Sequence, residues 1–148
     1  MCETFLYSTT TTLGRERTWK LLSDIENWMR ASDVYAHMEW SGEPWIPGSV
    51  ILGTINYPVR LSFRYVLERC GLFQIAYLAH SMRGGFATHR VIELEESRDG
   101  GTVIRVNSFI VGEPDVPGGG IAFLKMITER WFHDFARFCD LRQKSAVA

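Results

Sequence analysis

The residues of this chain best suited to chemistry are few and scattered. It has four histidines, His37, His80, His89 and His133. An imidazole titrates near neutral pH, so each is able in principle to move a proton. His80 lies near the end of a strand-like segment and is the best general acid or base among them, although no Asp or Glu is placed by sequence to orient it. Tyr35 could donate a hydrogen bond to a ligand carbonyl or act as a weak acid, and the second role needs a neighbour that perturbs the phenol. His89 and Arg90 are adjacent, so in an extended strand one points inward and the other outward. An inward Arg90 could bind a carboxylate or an enolate. Tyr35, His80 and Arg90 are therefore the candidate catalytic groups.

Other chemistries find no support in spacing. His37, His89 and His133 do not form a metal pattern. Cys2, Cys70 and Cys139 are odd in number and widely separated, as reduced thiols are, and do not suggest a disulfide framework or a zinc site. Neither a metal nor a cofactor is expected. Ser108 and Thr128 are small hydroxyls among apolar neighbours, without the paired base and elbow of a nucleophile. They suit hydrogen bonds to their own backbone or to a ligand. Gly118-Gly119-Gly120 lacks the sequence context of a phosphate cradle and reads as a hinge.

The elements that must position these groups can be read from periodicity. Residues 3–11 alternate and suggest an edge strand, ended by Gly14. Short helices are expected over Arg15–Leu22 and Ile25–Arg30, the second capped by Ser23 or Asp24 and carrying Trp28. Strands follow near 35–41, 49–56, 59–69, 72–81, 86–96 and 102–112. Tight turns are expected at Tyr57-Pro58, Cys70-Gly71, Gly84-Gly85 and Asp99-Gly100-Gly101. Connections this short leave no room for crossover helices, so the sheet should be antiparallel. The loop from Gly42 to Ser49 holds Trp45 between two prolines and suits either a plug at one end of the fold or a dimer contact.

Alternation assigns faces. Leu61, Phe63, Tyr65 and Leu67 form an inward set, as do Ile104, Val106, Ser108 and Ile110. The 86–96 segment is ambiguous, since both of its phases aim a polar group at the interior. A long helix is expected from Gly120 to Leu141. Leu124, Ile127, Thr128, Trp131, Phe135 and Phe138 share its apolar face, and Ile121, Phe132 and Cys139 widen it.

The chain has 148 residues, 46% of them apolar, which suits a single domain spanning 1–148. Its net charge of −1, from 16 basic and 17 acidic residues, gives no electrostatic case for nucleic acid or an anionic membrane. The longest apolar runs are too short to span a bilayer, and the N-terminal MCETFLYSTTTT has no cationic region followed by an apolar one. The cytoplasm is the default compartment, and exposed Trp and Phe fit a homodimer.

This order of elements resembles the START/Bet v1-like (SRPBCC) superfamily and its helix-grip fold. It is most similar to the polyketide cyclase/dehydrase branch, the bacterial aromatase/cyclases. The resemblance rests on Thr18-Trp19, Ser23-Asp24-Ile25-Glu26-Asn27-Trp28, Tyr35, Gly84-Gly85-Phe86-Ala87, Gly100-Gly101-Thr102 and the closing helix. It implies an α+β fold, a seven-stranded antiparallel sheet wrapped around a long C-terminal helix, with two short helices after the first strand. It also implies a deep pocket, with Trp28, Tyr35, His80, Phe86, His89 and Val106 at matching positions. Where those cyclases carry an inward arginine, on the strand matching 59–69, this chain has Phe63, Tyr65 and Leu67.

The functional expectation is reversible binding of a small hydrophobic molecule, lipid-like or aromatic, between sheet and helix. Leu124, Thr128, Trp131 and Phe135 would form one wall, and Phe63, Tyr65 and Val106 the other. Trp28 would be either a stacking wall or a core plug. A first alternative is a cyclase, aromatase or dehydratase using the same pocket. A second is an interaction module with a filled core and Trp40 or Trp45 at a partner surface. An internal cavity of several hundred Å³ is what the first two require.

Overall fold

The computed structural model describes residues 2–56, 60–82, 85–112 and 120–146, with side chains described as far as 143. The chain forms β1 (Cys2–Thr11), α1 (Arg15–Leu22), α2 (Ile25–Arg30), β2 (Tyr35–Ser41), β3 (Val50–Ile55), β4 (Leu61–Gly71), β5 (Gln74–Ser81), β6 (Phe86–Glu96), β7 (Thr102–Gly112) and α3 (Gly120–Ala146). The strands make one seven-stranded antiparallel sheet in the order β1-β7-β6-β5-β4-β3-β2. One face of the sheet packs on the apolar side of α3, where Phe123, Leu124, Ile127, Trp131, Phe132, Phe135 and Cys139 are all buried. The expected α+β layering is therefore present, and α3 runs five residues beyond its expected end at Leu141.

Local chemistry explains the joints. Asp24 caps α2 by accepting a hydrogen bond from the Glu26 N–H at 3.0 Å. The Ser23 hydroxyl instead donates back to the Trp19 carbonyl at 2.8 Å, so Asp24 is the cap. Asp140 ties α3 to the end of β1, accepting from the Thr11 hydroxyl at 2.6 Å and the Thr12 N–H at 2.9 Å. At Gly53 an added Cβ would come within 2.9 Å of the Tyr65 ring, so this glycine lets Tyr65 lie flat against β3.

One turn differs from expectation. Gly71 pairs with Gln74, which moves the β4–β5 hairpin loop from Cys70-Gly71 to Leu72 and Phe73. Both loop residues have positive φ, 54° and 64°, as a two-residue hairpin matching the sheet twist requires. A β-bulge between Leu67 and Arg69 shifts the register and carries the strand further than alternation predicts. Leu72 is left 97% exposed, while Phe73 packs under the Arg15 guanidinium, 4.1 Å from the ring centre. The Tyr57-Pro58 turn, Gly84, and Gly118 and Gly119 of the expected hinge lie outside the described residues.

No helix among the described residues is long and apolar enough to cross a membrane.

Candidate functional site

The phase of β6 decides the site. Phe86, Thr88, Arg90, Ile92 and Leu94 face α3, and His89 faces outward. Arg90 stands opposite Tyr77 of β5 and Ser108 of β7, and Ser108 stands opposite Phe5 of β1. These residues therefore form one row across the concave face. The Arg90 Nε donates to the Ser108 hydroxyl at 2.9 Å and Nη1 donates to the Tyr77 hydroxyl at 3.3 Å. Its Nη2 donates to the Thr128 hydroxyl on α3 at 2.7 Å. Thr128 spends its own hydrogen on the Leu124 carbonyl at 2.7 Å, so its oxygen is free to accept. All three acceptors are neutral. Among the described residues no carboxylate pairs with Arg90, whereas Arg105 meets Glu95 and Arg130 meets Asp33, each pair within 2.8 Å.

The next row toward the start of α3 contains small side chains. Tyr65 pairs with Ala79, Ala79 with Thr88 and Thr88 with Ile110. Ala79 and Thr88 do not fill the space beneath α3. The result is an internal void of about 30 Å³ beside the guanidinium. Its sheet side is formed by Phe63, Tyr65, Tyr77, Ala79, Thr88 and Arg90, with Val34, Tyr35 and Ile55 at the margin. Leu124, Ile127, Thr128 and Trp131 close it from α3. Among the described residues no internal cavity of the expected several hundred Å³ is found, because large aromatic side chains occupy the interior. A larger hollow, about 450 Å³, is an open groove on the other face of the sheet near Leu6, Glu93 and Arg105, away from these groups.

The interior phenols are held in their protonated form. Burial is the main cause raising Tyr35 above its ordinary value, and the nearby Tyr77 adds to it. Tyr65 is raised well above its ordinary value for the same first reason, with Tyr35 and Tyr77 contributing. Burial opposes the charge on Arg90, but the Tyr77 and Tyr35 oxygens around it outweigh that effect, so the guanidinium stays charged. Chemically the site offers one cation and several hydroxyl donors, with no group among the described residues that ionises near neutral pH.

That corrects the acid–base expectation. His80 is exposed on the outer face of β5, because Ile75, Tyr77, Ala79 and Ser81 take the inward phase. His89 is outward as well, with Nε2 2.8 Å from a Glu68 carboxylate oxygen. Neither histidine reaches the interior. With its phenol pushed up by burial, Tyr35 is a donor and not an acid near neutrality.

Of the other expected site residues, Phe63, Tyr65, Leu124, Thr128 and Trp131 border the void together with Tyr35 and Arg90. Trp28, Phe86, Val106 and Phe135 lie in the core around it instead. Trp28 is 2% exposed, donates its indole N–H to the Leu22 carbonyl at 2.7 Å, and contacts Tyr35, Trp45, Tyr77 and Trp131. These contacts place it within the core cluster beside the void. Phe135 stacks on Trp131 at 5.2 Å. Tyr77 and Thr88 escaped the sequence reading. The alternation of Ile75, Tyr77 and Ala79 was the available signal for the first, and Thr88 follows once Arg90 is inward. Trp40 and Trp45 pack edge to face at 4.8 Å and are each partly exposed. Among the described residues no group of three or more His, Cys, Asp or Glu converges on a point that could hold a metal.

No family model matches the chain, and no curated protein matches it. Solved structures do. The chain is similar to Ara h 8.0201, with a TM-score of 0.72 at 16% identity over 94% of this chain and 98% of that one. It is also similar to the Mll3558 protein from Rhizobium loti, with a TM-score of 0.74 at 15% identity over 93% of this chain and 96% of that one. Identities this low carry the architecture and nothing finer. The seven-stranded sheet gripping α3, the paired short helices after β1 and these two likenesses give the chain the helix-grip fold of START/Bet v1-like proteins.

Proposed function

We propose that this protein binds a small, mostly apolar molecule, aromatic or lipid-like, between the sheet and α3. The observation that supports this is Arg90. Arg90 is half-buried on the face toward α3, and withdrawing part of a cation from water among neutral hydroxyls costs stability that an apolar residue of similar size would not. A site that must orient a ligand has a use for that cation. The surrounding aromatic and aliphatic groups would drive binding by burial of apolar surface, worth roughly 25 cal/mol per Å².

Room for the ligand has to be made. A void of about 30 Å³ holds a small group, while ligand pockets run to roughly 300 Å³ or more. Phe63, Ile55, Leu124 and Ile127 are held by apolar contacts alone, so they can repack without breaking a hydrogen bond. Trp28 and Trp131 are pinned through their indole N–H groups and stay as the fixed floor.

The cyclase or dehydratase reading keeps one point in its favour: Arg90 and the tyrosine hydroxyls could stabilise an enolate. Among the described residues no base reaches the site, since His80 and His89 face outward. Binding without turnover is the better reading. Native mass spectrometry of the purified protein, with extraction of whatever co-purifies, tests it. The expected result is a bound small molecule, or a rise in melting temperature with members of a hydrophobic panel. No adduct and no shift across the panel would falsify the reading.

A further inference from the structure

We infer that the ligand carries a carboxylate, and that Arg90 is the group that receives it. This rests on the interior being a binding site. A guanidinium has five N–H donors. The hydroxyls of Ser108, Tyr77 and Thr128 take one each from Nε, Nη1 and Nη2. Two remain, one on each terminal nitrogen, and that spacing matches the two oxygens of one carboxylate.

Charge leads to the same class. The three acceptors are neutral, and no Asp or Glu among the described residues compensates Arg90. Arg90 is half-buried, so an acid there would pair with it under less solvent screening than at the open surface. A cationic ligand is repelled there, and a neutral one leaves the charge unmatched. Size agrees, since the void beside the guanidinium has room for a headgroup but not for the rest of a ligand. The apolar remainder then lies along Phe63 and Leu124, which must shift. Tyr35 borders the same void, so its hydroxyl can donate to the same headgroup. Thr128 fixes the fork from α3, so the acid is read jointly by sheet and helix.

The test uses two matched pairs on the full chain near neutral pH: naphthoate against naphthamide, and laurate against lauramide, by titration calorimetry. In at least one pair the acid should bind about tenfold to a hundredfold more tightly than its amide, the range expected of a hydrogen bond to a charged group. Arg90→Met should abolish that preference, weakening the acid by about tenfold to a hundredfold more than the amide. Arg90→Lys, which keeps charge but not the fork, should keep part of it, with folding of both variants checked by circular dichroism. Equal affinity for acid and amide overturns the carboxylate inference and leaves apolar binding intact. An acid preference that survives in Arg90→Met overturns it too, by placing the acid on a surface cation. Binding of neither pair sinks the interior site itself.

Discussion

The two halves of the space under α3 are built on opposite principles. Around Trp28 the packing is dense and apolar. Trp28 packs at a tilt on Trp131, which stacks on Phe135, and both indole N–H groups are satisfied by backbone carbonyls. Around Arg90 the interior is polar, with a cation, four hydroxyl-bearing neighbours (Ser108, Tyr77, Thr128 and Tyr35) and a void. The first half has the features that stabilise a fold. The second has features that cost stability unless they serve a ligand. A helix laid across a sheet needs only the first kind, so the contrast separates what holds this protein together from what it is for.

Trp28→Ala is the sharpest way to break that contrast. It should lower unfolding free energy by about 3–5 kcal/mol in denaturant titration, because a large fully packed side chain leaves a cavity. A loss under about 1 kcal/mol would mean the apolar half is not the structural one. Arg90→Met is next. Replacing a cation that has no acid partner among the described residues with an apolar chain should leave stability unchanged or raise it by about 1 kcal/mol. A loss above about 2 kcal/mol would make the hydroxyl network structural and erase the difference between the halves.

The smallest effect concerns the dry end of α3. Burial pushes the Cys139 thiol up to about 12, with the Asp140 carboxylate adding to it. A raised folded-state value means the unfolded chain releases its proton first. Stability from this group is whole below its ordinary 9.0 and is lost as pH rises through about 12. Alkaline unfolding followed by circular dichroism should begin in that window, with Tyr35 and Tyr65 adding to it above about pH 10. Cys139→Ala should flatten the onset. At neutral pH a thiol reagent should modify exposed Cys2 readily and leave buried Cys139 untouched until the protein unfolds.

Much of this was legible beforehand, and particular residues say why. Leu61, Phe63, Tyr65 and Leu67 alternate so regularly with polar residues that the inward face of β4 needed no structure. The short helices followed from Asp24 and the spacing of their apolar residues. The site was less legible. Arg90 and His89 left the phase of β6 open in the sequence, since either phase aims a polar group at the interior. His80 looked like a pocket residue by resemblance, but its strand's phase was set by Tyr77 and Ala79. The Leu72-Phe73 loop carried no turn signal, because its positive φ values come from strand register and a bulge.

By itself the sequence determined the order of elements, the antiparallel sheet and the apolar face of α3, since these depend on periodicity and on connections too short for anything else. Tertiary structure alone decided that Arg90 lies inside, that Ser108, Tyr77 and Thr128 surround it from three elements, and that aromatic side chains fill the space where a large cavity was expected. The physical reason is that a charge's environment is made by residues distant in the chain: 13 positions separate Tyr77 from Arg90, and 38 separate Arg90 from Thr128. Only the paired register of neighbouring strands beneath a packed helix brings them to one point.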